Sequence, residues 1–217
     1  MTHLRHRAAL AVQGLACAFL LLFSAPAQAL STDDATRFVT KLVDTAVNDV
    51  IGAPIPQAQK EERMRKLFVE AADIPGIAAF VIGREWRSAS PEQKTQFIDL
   101  FEDVSILTWI SHLEEYKNIK IQVTGAYADK SDVFVESQVA TTDGKPIPIV
   151  WRVQERPGNQ IKLIDVVIEA NSMLINTRKQ YVSVMKREGG LPGLMASLEK
   201  MRTDLRAGKT PEPLPKQ

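Results

Sequence analysis

The chain has 217 residues, enough for one domain with a sizeable core, and 45% of them are hydrophobic. Its 27 basic and 26 acidic side chains nearly cancel, which excludes a polybasic membrane anchor and an electrostatic nucleic-acid surface. One cysteine excludes a disulfide framework, so the fold must rest on packing.

Residues 1–29 read as an export signal. Arg5 and Arg7 form a basic n-region, Ala8 to Phe23 an apolar run, and Ala27-Gln28-Ala29 a cleavage site. Cleavage after Ala29 predicts a mature chain that starts at Leu30, with a single α+β domain over 30–207 and a flexible tail over 208–217. Without Arg5 and Arg7 the 27 basic residues fall to 25 against 26 acidic, a net charge of −1. Cys17 raises the alternative of a lipidated cysteine. Against it, Gly14 stands where a lipobox carries leucine, and Phe19 to Phe23 continue the apolar run.

Ala35, Phe38, Val39, Leu42, Val43, Ala46, Val47, Val50 and Ile51 follow helical spacing, which predicts an amphipathic helix capped by Ser31 or Thr32 and closed near Gly52. Its polar side mixes Asp and Lys, so the apolar face is assigned to the domain's own core. A charged second helix over Gln57–Ala71 should bury Met64, Leu67 and Phe68. Asp73 then caps a short helix with Pro75 in its first turn, and Gly83 ends it in the left-handed conformation. After an aromatic and basic corner at Arg84, Trp86 and Arg87, the triplet Ser90, Pro91 and Gln93 forms a capping box. The helix it starts is predicted to reach Tyr116. Phe97, Leu100, Phe101, Val104, Leu107, Trp109, Ile110 and Leu113 make it apolar around most of its circumference, so it is buried or lines something apolar.

From Asn118 the period changes to two. Ile119, Ile121 and Val123 start one strand, and Val133, Val135 and Val139 form a second. Ile147, Ile149, Trp151 and Val153 lie on one face of a third, opposite Val150, Arg152 and Gln154; Ile161 to Ile168 is a fourth, apolar on both faces. Turns at Thr142-Asp143-Gly144 and Pro157-Gly158-Asn159 make this a four-stranded antiparallel meander. Pro146 and Pro148 place their portion of the third strand at a free edge or beyond the paired region. Helices over Ser172 to Arg187 and Leu191 to Leu205, separated by Gly189-Gly190, complete an α+β order of helices, sheet, helices.

Little chemistry is on offer. Of three histidines, only His112 lies outside the leader, mid-helix beside Glu115. HExxH, CxxC and phosphate-binding glycine loops are missing from the sequence. Asp165, an acid in an apolar strand, is either a pocket base or, as is commoner, the partner of an arginine, with Arg152 the candidate.

Gly83, Trp86, Arg87, Ser88, Ala89, Ser90, Pro91, Gln93 and Lys94 before an apolar helix resemble the periplasmic lipid carriers of the MlaC (toluene-tolerance, Ttg2-type) family. Val123 to Gly125, Asp143 to Val153 and Ile164 to Met173 continue the resemblance in order. It implies sheet and helices enclosing an apolar pocket for phospholipid tails, with bound phospholipid as cargo and no cofactor, metal or catalytic residue. On that likeness the helical wall is Ile77, Phe80, Val81, Phe97, Phe101, Val104 and Thr108. The sheet wall is Val123, Val135, Ile149, Trp151, Val153 and Val166, although the sequence leaves open which sheet face points inward. Trp86 is either a wall residue or a buttress of the helix corner. The chain carries Ala170-Asn171 where the family pattern E-G-[VI]-S-M has glycine, which bears on the turn there.

The resemblance further implies a monomer in the periplasm that exchanges phospholipid with an inner-membrane MCE-domain ABC transporter and an outer-membrane lipoprotein complex. A hopanoid-associated carrier, an envelope enzyme using Asp165 and an adaptor with a filled core are the alternatives.

Overall fold

The computed structural model describes residues 30–112, 120–140 and 144–209. The leader with its cleavage site, Leu113 to Ile119, the Thr142-Asp143 part of a predicted turn and the tail from residue 210 lie outside them. Helix α1 (Thr32–Asp44) runs directly into a π-helical segment, Thr45–Ile51; then come α2 (Gln57–Ala71), α3 (Ile74–Ile82), the single-turn α4 (Glu85–Ser88) and α5 (Pro91–Ser111). Strands β1 (Ile121–Asp129), β2 (Asp132–Val139), β3 (Ile147–Arg156), β4 (Gln160–Ile168) and β5 (Asn171–Ser172) precede α6 (Met173–Glu188) and α7 (Leu191–Arg206).

The caps act where the sequence places them. Ser31 accepts from the Asp34 N–H at 3.0 Å and Asp73 from that of Gly76 at 3.2 Å. Ser90 and Gln93 exchange side-chain and backbone hydrogen bonds at 3.2 and 2.9 Å. Each satisfies a helix-start N–H that has no partner within the helix. Helix α5 spans Pro91–Ser111 with His112 as its C-cap, so His112 is terminal rather than mid-helix, and Tyr116, where the sequence ends the helix, lies outside the described residues. Gly83 has the positive φ expected of it, +59°, but with ψ −116° it lies outside the left-handed helical well; a Cβ there would meet the Arg178 guanidinium at 2.8 Å.

The sheet has five antiparallel strands in sequence order, one more than the meander predicted, because β5 folds back on the end of β4. The two-residue link between them, Glu169-Ala170, has φ +49° and +64°. This geometry favours glycine, and alanine adopts it only at the cost of a contact between its Cβ and the backbone. Ala170→Gly is therefore expected to stabilise the fold by about 1 kcal/mol, raising Tm by about 2–4 °C in a thermal melt. An unchanged or lower Tm would show that the turn is unstrained.

Register settles which sheet face is inward. Val133 faces Val153, Val135 faces Trp151 and Trp151 faces Val166, all on one side. On this side α1 packs against β1 and β2. The reverse side carries Phe134 stacked on Tyr127, which is 48% exposed.

Strand β3 is central, between β2 and β4, and the portion with its prolines lies beyond the β3–β4 ladder, one of the two positions its prolines allow. Pro146 does precede it. Pro148 accepts from the Glu169 N–H at 3.1 Å, so its own nitrogen faces the same neighbour, where the β3–β4 ladder has just ended at Ile149–Ile168. The missing donor falls at the ladder's margin, where it leaves no gap.

Three apolar clusters result among the described residues. A helical cluster joins α3, α5, α6 and α7; a sheet cluster joins α1 to β1–β4; a small third joins Ile106 and Ile110 to Ile51, Met64 and Phe68. A bulge in β4 lets that strand serve two of them. Leu163 belongs to the sheet cluster and the next residue, Ile164, to the helical one.

Candidate functional site: two apolar clusters and a groove between helices

The predicted helical and sheet walls fall in different apolar clusters. Val81 and Phe97 are fully buried, Phe101 and Val104 nearly so, and all four sit in the helical cluster with Ile77 packed against it. Phe97, Phe101 and Tyr181 of α6 form an aromatic triad with centroids 6.2–6.3 Å apart. Phe80 is 41% exposed, with the Arg178 guanidinium 4.7 Å from its ring centroid, so it faces solvent. Thr108 is half-buried and donates to the Val104 carbonyl at 2.7 Å. Trp86 packs against the helical cluster with Lys94 over its ring, which makes it a buttress of the corner.

The sheet residues do come together. Val135 and Val153 are fully buried in the sheet cluster, with Val123 and Trp151 packed against them. Ile149 is buried and Val166 half-buried on the same face. The Trp151 indole N–H donates to the Ser137 hydroxyl at 2.8 Å, which satisfies the polar atoms of a buried wall. Sheet and helical clusters share no residue. Ala72 of the helical cluster pairs with Leu163, which packs against the sheet cluster.

The row Ala35, Val39, Val43 of α1 faces the sheet. The neighbouring row, Phe38 and Leu42, joins Val50, Leu67 and Ala71 in lining a groove of about 470 Å³ toward α2. Lys41, Asp49, Arg63, Lys66 and Glu70 also line it. Past α1 the π segment shifts the helical register. Its wider turn, closed by Gly52 N–H to Val47 O at 2.8 Å, leaves Val47 with the sheet cluster and carries Ile51 to the third. The groove residues carry a sequence signal only as part of the α1 stripe, which does not separate a face for the sheet from a face for α2.

Cations on α2 hold the end of the π segment. The nearly buried Lys60 donates to the Ile51 carbonyl at 2.9 Å and Arg63 to that of Asp49 at 2.8 Å, the natural role of cations at a helix C-terminus. On its other side α2 is tied to α5 by Arg65, 2.8 Å from both Glu102 and Asp103. Partial burial works against the Arg65 charge, but these two carboxylates outweigh it and raise its pKa. Met64, Leu67 and Phe68 are only half-buried; the buried residues of α2 are Lys60 and Ala71.

Asp165 is engaged differently from the expectation. Its carboxylate accepts from the Ser172 hydroxyl at 2.5 Å and the Leu174 N–H at 2.9 Å, which pins the start of α6 to β4. Arg152 pairs instead with Asp132, at 2.8 Å. Among the described residues, no group of three His, Cys, Asp or Glu is placed to hold a metal ion.

Comparison with known proteins bears on this architecture. A family model described as MlaC protein matches residues 37–200. The intermembrane phospholipid transport system binding protein MlaC of Haemophilus influenzae is 27% identical over 113 residues, which cover 50% of this chain and 53% of that protein. The chain thus spans about half the length of the curated relative it matches. The structure of a phospholipid-binding protein from Ralstonia solanacearum, in complex with a phospholipid, superposes with a TM-score of 0.69 at 27% identity, over 79% of this chain and 98% of that one. With the family model matching well over half its length, the chain belongs to the MlaC family.

Proposed function

We propose that the protein is a phospholipid carrier of the periplasm, delivered there by cleavage after Ala29 and acting as the soluble component of an Mla-type ABC transport system. Its exchange partners on this reading are an inner-membrane MCE-domain transporter and an outer-membrane lipoprotein complex. The observation that carries the reading is the pair of separate apolar clusters, one on the sheet and one among the helices, in a fold shared with a protein solved with a phospholipid. The sheet wall of Val123, Val135, Ile149, Trp151, Val153 and Val166 is where acyl chains would replace cluster-to-cluster contacts.

The energetics suit such a task. A two-chain lipid carries on the order of 30 methylenes at ~0.8 kcal/mol each, so more than about 20 kcal/mol opposes its free passage through water. A carrier supplies apolar surface for the tails and needs no nucleophile, and the Asp165 carboxylate is already occupied in holding α6.

Native and denaturing mass spectrometry of protein exported to a bacterial periplasm tests this. A stoichiometric phospholipid mass, retained natively and lost on denaturation, is the expected result. A folded protein that stays bare after incubation with phospholipid and hopanoid vesicles would overturn the carrier reading. Uptake of hopanoid alone would keep the mechanism and change the cargo.

A further inference from the structure

The near balance of acid and base along the chain does not hold locally. Residues 74–89 and 173–188, which build α3, α4 and α6, hold six cations and two carboxylates. Each carboxylate has a cation of its own: Glu85 pairs with Arg84 at 3.2 Å and Glu188 with Arg187 at 2.7 Å. Arg87, Arg178, Lys179 and Lys186 remain, and among the described residues none of them pairs with a carboxylate. Arg178 lies against the end of α3, where it donates to the Phe80 carbonyl and stands 4.7 Å from the Phe80 ring centroid. On α6, Ile175, Arg178, Lys179 and Lys186 are spaced i, i+3, i+4 and i+11, so they share one side of the helix. That side carries no acid, and α3 has no charged residue. Ile175 is 47% and Phe80 41% exposed, and Lys179 and Lys186 are exposed as well.

We infer that this α3–α6 face makes a weak peripheral contact with the surface of an anionic lipid bilayer. Phe80 and Ile175 enter the headgroup layer, while Arg178, Lys179 and Lys186 meet its negative charge. The face has the composition of an interfacial helix, with apolar side chains bordered by cations whose stems also bury in lipid. A second copy of the chain is a poor occupant, because a two-fold contact through this face sets cations against cations. The cations are spread over folded helices rather than set in one continuous run, and two exposed apolar side chains bury little area. The contact is therefore reversible and does not anchor the protein. The inference goes beyond the carrier reading, since it concerns the outside of the helical layer and not the sheet wall assigned to the acyl chains.

The test is co-sedimentation of the mature chain, at low salt, with vesicles of phosphatidylcholine alone or mixed with phosphatidylglycerol. The wild type is expected in the pellet with the anionic vesicles and in the supernatant with the neutral ones. Lys179→Gln/Lys186→Gln should lower the partition coefficient about tenfold or more, and Ile175→Ser about threefold. These side chains are exposed, so melting temperature should stay unchanged, as should the phospholipid mass retained in native mass spectrometry. Raised salt should release the wild type from the vesicles. Folded variants that pellet like the wild type overturn the inference, and so does equal pelleting with neutral vesicles. A wild type that stays in the supernatant with both also overturns it and assigns the face to an acidic protein surface. Retained phospholipid in that same sample would leave the carrier reading standing.

Discussion

Phe97→Ala is expected to lower the unfolding free energy by about 3–5 kcal/mol. Phe97 has no exposed surface, and it stands between Phe101 and Tyr181 in the helical cluster. The substitution removes a ring from a site closed by α5 and α6, whose backbones cannot both move in to fill it, so a cavity term adds to the lost transfer energy. At this chain length each kcal/mol corresponds to about 2–4 °C in Tm, so the shift should be near 10 °C. Urea unfolding measures it directly, as a lower midpoint with the same slope. Native mass spectrometry of the folded fraction adds the functional readout, and cargo occupancy should persist. A small stability change together with lost cargo would move Phe97 from the packed core to the wall of the lipid site.

The second large effect belongs to Asp165→Ala, expected at about 2–3 kcal/mol. The carboxylate is buried and satisfies the Leu174 N–H and the Ser172 hydroxyl, and Ser172 in turn caps α6 by accepting from the Ile175 N–H at 3.0 Å. Alanine leaves the buried N–H without an acceptor and frees the capping hydroxyl to turn away. Asp165→Asn keeps one carbonyl oxygen for the N–H, so it should lose only about 1 kcal/mol. This ordering, alanine worse than asparagine, is the signature of a structural carboxylate and is read by chemical denaturation of both variants. Equal stability of all three proteins, with a hydrolytic activity lost in both variants, would restore the enzyme alternative.

The two predictions show where local information stopped. The helical period of α1 and the capping box at Ser90 were legible because each depends on residues within a turn or two of one another. The same locality made the prolines legible: two missing donors spaced two apart mark a portion that lies beyond the β3–β4 ladder. Helix α5 is the contrary case. Its apolar residues surround most of its circumference, so the pattern shows that it is buried but does not choose its neighbours. Phe97 and Phe101 turned out to pack on Tyr181, away from the sheet residues with which the family resemblance had grouped them.

What the sequence determined by itself is the order of elements, most of their ends, the absence of familiar catalytic motifs and, through spaced motifs, the MlaC family. Only the tertiary structure decided which sheet face is inward, because β4 is apolar on both sides and its bulge sends Leu163 and Ile164 to different clusters. It also divided the α1 stripe, with Ala35, Val39 and Val43 in the sheet cluster and Leu42 on the groove toward α2. The physical reason is common to both: periodicity fixes how side chains share a face, while the identity of what covers that face depends on contacts between residues far apart in the chain.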